Sequence, residues 1–188
     1  LTNSTLVFNN SIINFSFTDE DTFLPLNGIM NQIVWTYWMN DSTLNKSYIY
    51  VNTSLVGNPG YPFCFNPAGN NVNAQAQVSF SSAGYPTRTR QLSYSNLNNN
   101  SITQQNLYLL AVGVSTTIVI RTGVGLPQAG ATVTVSRLFS GVTEIVGSGI
   151  TDSAGSISFY LNPDYPHTLP YSYPGCTIGT ATLNPSQN

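Results

Sequence analysis

The sequence has very little charge. Only 6% of its residues are Asp, Glu, Lys or Arg, against about 25% in an ordinary soluble domain. Five basic and seven acidic residues leave a net charge of −2, so no basic patch exists to neutralise a phosphate backbone and nucleic-acid binding is not expected. Histidine occurs once, at His167, with no Gly-x-Ser-x-Gly elbow to accompany it. A Ser-His-Asp site therefore has no frame, and His167 reads as an ordinary surface or pocket residue. Gly123-x-Gly125 lacks the third glycine and following helix of a dinucleotide loop and reads as a hairpin turn. Long apolar runs are also missing. The most apolar stretch, Leu107 to Ile120, is interrupted by Ser115, Thr116 and Thr117 and is too short to span a bilayer. Helical periodicity is almost absent. These absences argue against an enzyme, a cofactor-binding protein and a membrane span within this chain.

Acidic residues cluster only at Asp19, Glu20 and Asp21. Their spacing fits no known Ca²⁺ loop. Neighbouring residues on a strand point to opposite faces, which is poor geometry for a glycosidase pair. A solvated turn is the expectation, and no metal site is assigned.

In place of charge the chain carries Asn, Ser, Thr, Gly and Tyr. Such a surface hardly changes with pH and repels its own copies weakly, so subunits can pack side by side. Low charge threatens solubility, and the sequence offers a substitute. The glycosylation sequon Asn-x-Ser/Thr occurs at Asn3, Asn9, Asn14, Asn40, Asn45, Asn52 and Asn99. Each is an N-glycan acceptor on a secretory route. Cys64 and Cys176 are the two cysteines, and a long-range disulfide between them suits an oxidising compartment. The chain opens at Leu1 without an initiator Met, as a secreted product would after signal removal. An extracellular, cell-surface location is expected.

What is abundant is strand material. Gly and Pro total 26 residues and break the chain at short intervals, with β-branched and aromatic runs between them. An all-β fold is predicted: tandem immunoglobulin-like or transthyretin-like β-sandwiches with an extended N-terminal strand. Residues 1–17 read as an arm, in which Leu6 and Phe8 lie in an apolar patch and Ile13, Phe15 and Phe17 alternate with Asn14 and Ser16. Residues 18–106 form a first sandwich, with Phe80 to Arg90 as its closing hairpin. The polar, Asn-rich stretch Asn96 to Asn106 marks the boundary, and residues 107–188 form the second sandwich. Trp35, Tyr37 and Trp38 are weighed as a sugar-stacking platform, but core packing is the better reading.

One segment carries a recognisable motif. Leu126-Pro127-Gln128-Ala129-Gly130-Ala131-Thr132-Val133, followed by Thr151-Asp152-Ser153-Ala154-Gly155-Ser156-Ile157-Ser158-Phe159, resembles the transthyretin-like or carboxypeptidase-regulatory-like β-sandwich. The resemblance implies a strand followed by a tight hairpin over about a third of the chain. It says little of activity, because such modules serve as spacers, stalks and appendages. The whole chain, low in charge and rich in Asn and Thr behind an apolar N-terminal arm, is similar to archaeal extracellular thread and bundling-pilus subunits. That resemblance implies a homopolymer in which residues 1–17 complete the sandwich of the next subunit, with Leu6, Phe8, Ile13, Phe15 and Phe17 as contacts. The alternatives are a surface or capsid protein of a virus infecting archaea, or a monomeric carbohydrate-binding adhesin module.

Overall fold

The structure is a computed structural model. It describes residues 11–39, 45–52, 54, 56–65, 72–97, 102–176 and 179–185. Among these the fold is all-β, in several antiparallel sheets arranged as sandwiches, with no helix.

Residues up to 109 build β1 (Ser11–Asp19), β2 (Pro25–Leu26), β3 (Gly28–Met39), β4 (Lys46–Val51), β5 (Gly60–Phe65), β6 (Val72–Ser82), β7 (Tyr85–Leu97) and β8 (Ile102–Leu109). One sheet runs β4-β3-β6-β7, antiparallel throughout. In the other, β1 is central: β5 and the short β2 pair with one edge, and β8 lies parallel along the other. The inward-facing sets follow the period of two. On β1 these are Ile13, Phe15 and Phe17; on β6 they are Val72, Ala74, Ala76, Val78 and Phe80, all buried. On β3 both Met30 and Ile33 point inward although their spacing is odd, because a bulge between Met30 and Gln32 inserts the extra residue. Large and small side chains alternate across the ladder. Trp35 lies opposite Ala76 and Tyr37 opposite Ala74, which leaves room for Trp35 to meet Phe65 edge-on at 5.0 Å between ring centres.

The second unit comprises β9 (Val114–Val119), β10 (Thr132–Phe139), β11 (Val142–Ile150), β12 (Ser156–Leu161), β13 (His167–Ser172) and β14 (Gly179–Leu183). A four-stranded sheet, β11-β10-β13-β14, faces a two-stranded one, β12-β9. Its core gathers Val133, Val135, Val146, Phe159, Leu161 and Leu169. The recognised hairpin has a clear physical basis. Asp152 Oδ1 accepts from the backbone N–H groups of Ala154 and Ser156, each at 2.9 Å, closing the turn as an Asx motif. Gly155 has φ +70°, and a Cβ there would lie 2.6 Å from the Ile120 carbonyl oxygen and 2.7 Å from the Gln128 nitrogen. Only glycine fits.

Two sequence expectations are corrected here. β1 is no free arm from residue 11 onward. It sits in its own sandwich, and Ile13, Phe15 and Phe17 are wholly buried there. The alternation was real, but its apolar face belongs to the chain that carries it. The polar stretch 96–106 is no simple linker either. β7 runs through Leu97 and β8 begins at Ile102, and the Asn and Gln side chains there cross-link strands, as when Asn14 Nδ2 donates to Gln104 Oε1 at 3.0 Å. β8 then joins the two cores. Leu107 and Leu109 enter the first, while Tyr108 on the opposite face enters the second.

Candidate functional site

No cluster of His, Cys, Asp and Glu able to hold a metal occurs among the described residues, and no helix there is long and apolar enough to cross a membrane. What the fold does offer is a hydrogen-bonded joint between the two units and an open sheet edge in each.

The joint is built on the acidic turn. Glu20, expected in a solvated turn, is instead completely buried. It accepts from Arg88 Nη1 at 2.6 Å and from Arg137 Nη1 at 2.8 Å, one arginine from each unit. Arg88 also donates to the carbonyls of Tyr108 (3.0 Å) and Tyr160 (2.7 Å). The Arg137 guanidinium lies 3.7 Å over the Tyr165 ring. Asn162 Nδ2 donates to Asp21 Oδ1 at 2.6 Å, so both neighbours of Glu20 are held as well: Asp19 caps its own turn, accepting from the backbone and hydroxyl of Thr22 and from Tyr85. Burial would raise the Asp19 pKa, but these hydrogen bonds outweigh it and hold the carboxyl below its ordinary value. The Tyr85 phenol, donating to that carboxylate, is pushed up to about 12. Beside the joint, β11 lies against β7, where Ser148 Oγ accepts from the Gln91 N–H and donates to its carbonyl.

His167, expected at a surface or pocket, is wholly buried next to this joint, and neither ring nitrogen finds a well-formed hydrogen bond. Burial lowers its pKa below 6.5; Glu20 opposes that shift, while Arg137 and Arg88 reinforce it. The folded state therefore keeps the ring neutral where the unfolded chain takes up a proton. The stability this contributes is complete above about pH 6.5 and is lost as pH falls below it. Urea midpoints are expected to drop between pH 7.5 and 5 in the native chain. The drop should be smaller in His167→Gln, whose side chain does not titrate. Equal pH slopes for the two would refute the assignment.

Each unit also has open edges. In the first unit, β4 pairs with β3 alone and β5 with β1 alone among the described residues. A cleft of about 550 Å³ separates these two edges, lined by Trp35, Tyr37, Tyr48, Tyr50, Phe63 and Phe65. Its Trp35 is core, only 1% exposed, as expected over a sugar platform, and Trp38 points to the opposite face. In the second unit β9 pairs with β12 alone among the described residues. Beside its free edge lies a cleft of about 310 Å³ lined by Ile118, Ile120, Val133, Leu169, Tyr171 and Ala181. Ile118 and Ile120 are only partly buried against the core. The two-stranded sheet leaves this end of its partner sheet without a covering strand.

The other sequence-predicted residues fall as follows. Asn45 is exposed immediately before β4. Asn52 follows β4, and its Nδ2 donates to the Tyr61 hydroxyl at 3.2 Å. The two sequons thus bracket an edge strand whose Tyr48, Ile49 and Val51 are exposed. Asn3, Asn9, Asn40, Asn99, Leu6 and Phe8 lie outside the described residues. The expected disulfide is absent: Cys64 and Cys176 are free thiols, and both are exposed. They belong to different units, Cys64 to β5 and Cys176 to the β13–β14 turn.

No protein-family model and no curated protein matches the chain. Among solved structures, the chain is similar to the TIE protein of Bacillus anthracis at 13% identity, over 95% of this chain and 32% of that one, with a TM-score of 0.35. A leucine-rich repeat protein from Bacteroides thetaiotaomicron matches at 13% identity, over 94% of this chain and 24% of that one, with a TM-score of 0.25. The chain spans about a third or less of the length of these proteins.

Proposed function

We propose that this chain is a structural, non-enzymatic subunit of an extracellular filament, glycosylated on its surface and polymerising by β-strand addition. The observation that carries the reading is the unpaired edge of β9 above an apolar cleft. A sheet edge left unpaired among the described residues, beside a cleft lined mainly by apolar side chains with Arg121 at its border, is a template for another strand. The transthyretin-like resemblance of this unit fits a module used for assembly rather than for chemistry.

Residues 1–10 are the strand we assign to it. They precede Ser11, which pairs with Phe65 at the end of β1 remote from the Glu20 joint. Fully extended they reach about 33 Å. In the proposed filament the β9 edge they meet belongs to another copy. In an extended segment Leu6 and Phe8 share one face, while the sequons Asn3 and Asn9 share the other. Apolar side chains can then enter the cleft while glycans stay in solvent. A donor segment and an acceptor edge that are different parts of the same chain make a heterologous contact, which propagates as an open chain where the rotation does not close a ring.

The test is removal of residues 1–10. The truncated chain is expected to keep its β-sheet circular dichroism and cooperative melting but to sediment as a monomer, whereas the full chain forms fibres visible by electron microscopy. Fibres of unchanged abundance from the truncated chain would overturn the reading.

A further inference from the structure

We propose that His167 is an acid-operated release for the joint: when the ring takes up a proton, the two units part while each keeps its fold. What carries this is a buried imidazole set against a charge cluster that is already balanced. His167 is completely buried, and neither ring nitrogen has a hydrogen-bond partner. It is the first residue of β13, which pairs with β10 on one side and β14 on the other. In the β10 ladder Ser136 lies opposite Thr168. One step further along, the two strands carry Arg137 and His167. The imidazole and the guanidinium are therefore cross-strand neighbours on one face, where like charges destabilise the pair.

Charge counting gives the direction of the effect. Around the ring lie Glu20 from the turn after β1, Arg88 from β7 and Arg137 from β10, with the Tyr165 backbone from the loop before β13. Asp21 approaches Arg137 at 3.6 Å. Two guanidinium groups and two carboxylates sum to zero, which suits a neutral ring. A protonated ring adds a third cation, and no carboxylate among the described residues forms an ion pair with it. Glu20 attracts it, but that carboxylate already accepts from both arginines, at 2.6 and 2.8 Å. A buried charge left without a partner has to gain water or give up its proton.

Water can reach the ring by two routes. Pulling β13 out of its sheet breaks backbone pairing with both of its neighbours. Parting the units breaks links made through side chains: Arg137 to Glu20, Arg88 to the Tyr160 carbonyl, Asn162 to Asp21, and Ser148 to Gln91. The second route is the less costly one, and it also carries Glu20 and Arg88 away from the ring. The acid sensitivity of the fold is thereby placed at one interface, and it is independent of the filament reading.

The Gln91 N–H donates across the joint to Ser148 Oγ at 2.9 Å, so its hydrogen exchange reports separation of the units. Exchange is to be followed on the full chain between pH 7.5 and 5.0 by mass spectrometry with residue-level fragmentation. Each rate is divided by the intrinsic rate at that pH. Below the ordinary histidine value of 6.5, protection of the Gln91 amide is expected to fall by up to about tenfold per pH unit. At every pH it should stay well below the protection of central amides on β10, which is flanked by strands on both sides. His167→Gln, which cannot take up a proton, should abolish the fall. Gln91 protection that ignores pH in the native chain would overturn the proposal. So would protection equal to that of β10 throughout, since the joint would then open only when the second unit unfolds. Both readings come from the native chain and decide the matter even where His167→Gln does not fold. A folded His167→Gln chain with the native pH slope would also overturn it, by assigning the trigger to another group.

Discussion

Glu20→Ala is expected to lower folding stability by about 3–5 kcal/mol, because breaking a buried ion pair from one side strands the charges left behind. Here two guanidinium groups are stranded, since Arg88 and Arg137 are both nearly closed to solvent and Glu20 is the carboxylate that both reach within 3 Å. Asp21 is no replacement, at 3.6 Å from Arg137 and itself half-exposed. The damage is also placed to separate the units, because the two arginines come from β7 and β10. Urea denaturation of the variant should show a fall in midpoint and two transitions instead of one. A loss under about 1 kcal/mol, in the range of an exposed pair, would show that the joint is held by other contacts. Replacing all three residues by apolar side chains of similar volume is expected to restore most of the stability, as isosteric replacement of buried ionic triads does.

This joint also shows where the sequence stopped being informative. Adjacent acidic residues between a strand and a proline look like a solvated turn, because their partners are 68 and 117 positions away. Nothing local distinguishes a paired carboxylate from a hydrated one. One signal was present nevertheless. In a chain with five basic residues, Arg88 and Arg137 both fall inside alternating strand segments, where a charge is costly unless it is paired. Scarcity of charge is itself grounds for expecting that the few charges inside strands meet one another.

The hairpin at Asp152–Gly155 was legible because its determinants are local: an Asx cap and a positive φ within four residues. The strands were legible for the same reason, since alternation is a property of neighbours. Their partners were not. The β1–β8 pairing joins residues 90 positions apart and is parallel, and no periodicity in one segment specifies which second segment lies beside it. The cysteines show the same limit. Count and compartment suggested a bond, but the fold leaves Cys64 and Cys176 as free, exposed thiols on different units.

Phe15→Ala carries the second large effect, and its sign of failure separates two accounts of the N-terminus. Were β1 a donor to a neighbour, the substitution would spare the isolated subunit and weaken only the polymer. In its own sandwich, Phe15 is completely buried, with the Trp35 and Phe63 ring centres at 6.1 and 5.8 Å. Truncation there leaves a cavity in the middle of the aromatic core, and about 3–5 kcal/mol of stability is expected to be lost from the monomer itself. The surrounding strands have little room to collapse, because β1 is hydrogen-bonded on both edges, to β5 and to β8. The clean comparison uses the chain lacking residues 1–10, which removes polymerisation from the measurement. A thermal midpoint in that background unchanged by Phe15→Ala would show that β1 lies elsewhere in solution. A fall of many degrees would fix residues 11–19 as part of the subunit's own core. In the proposed filament, the strand exchanged between copies would then be residues 1–10.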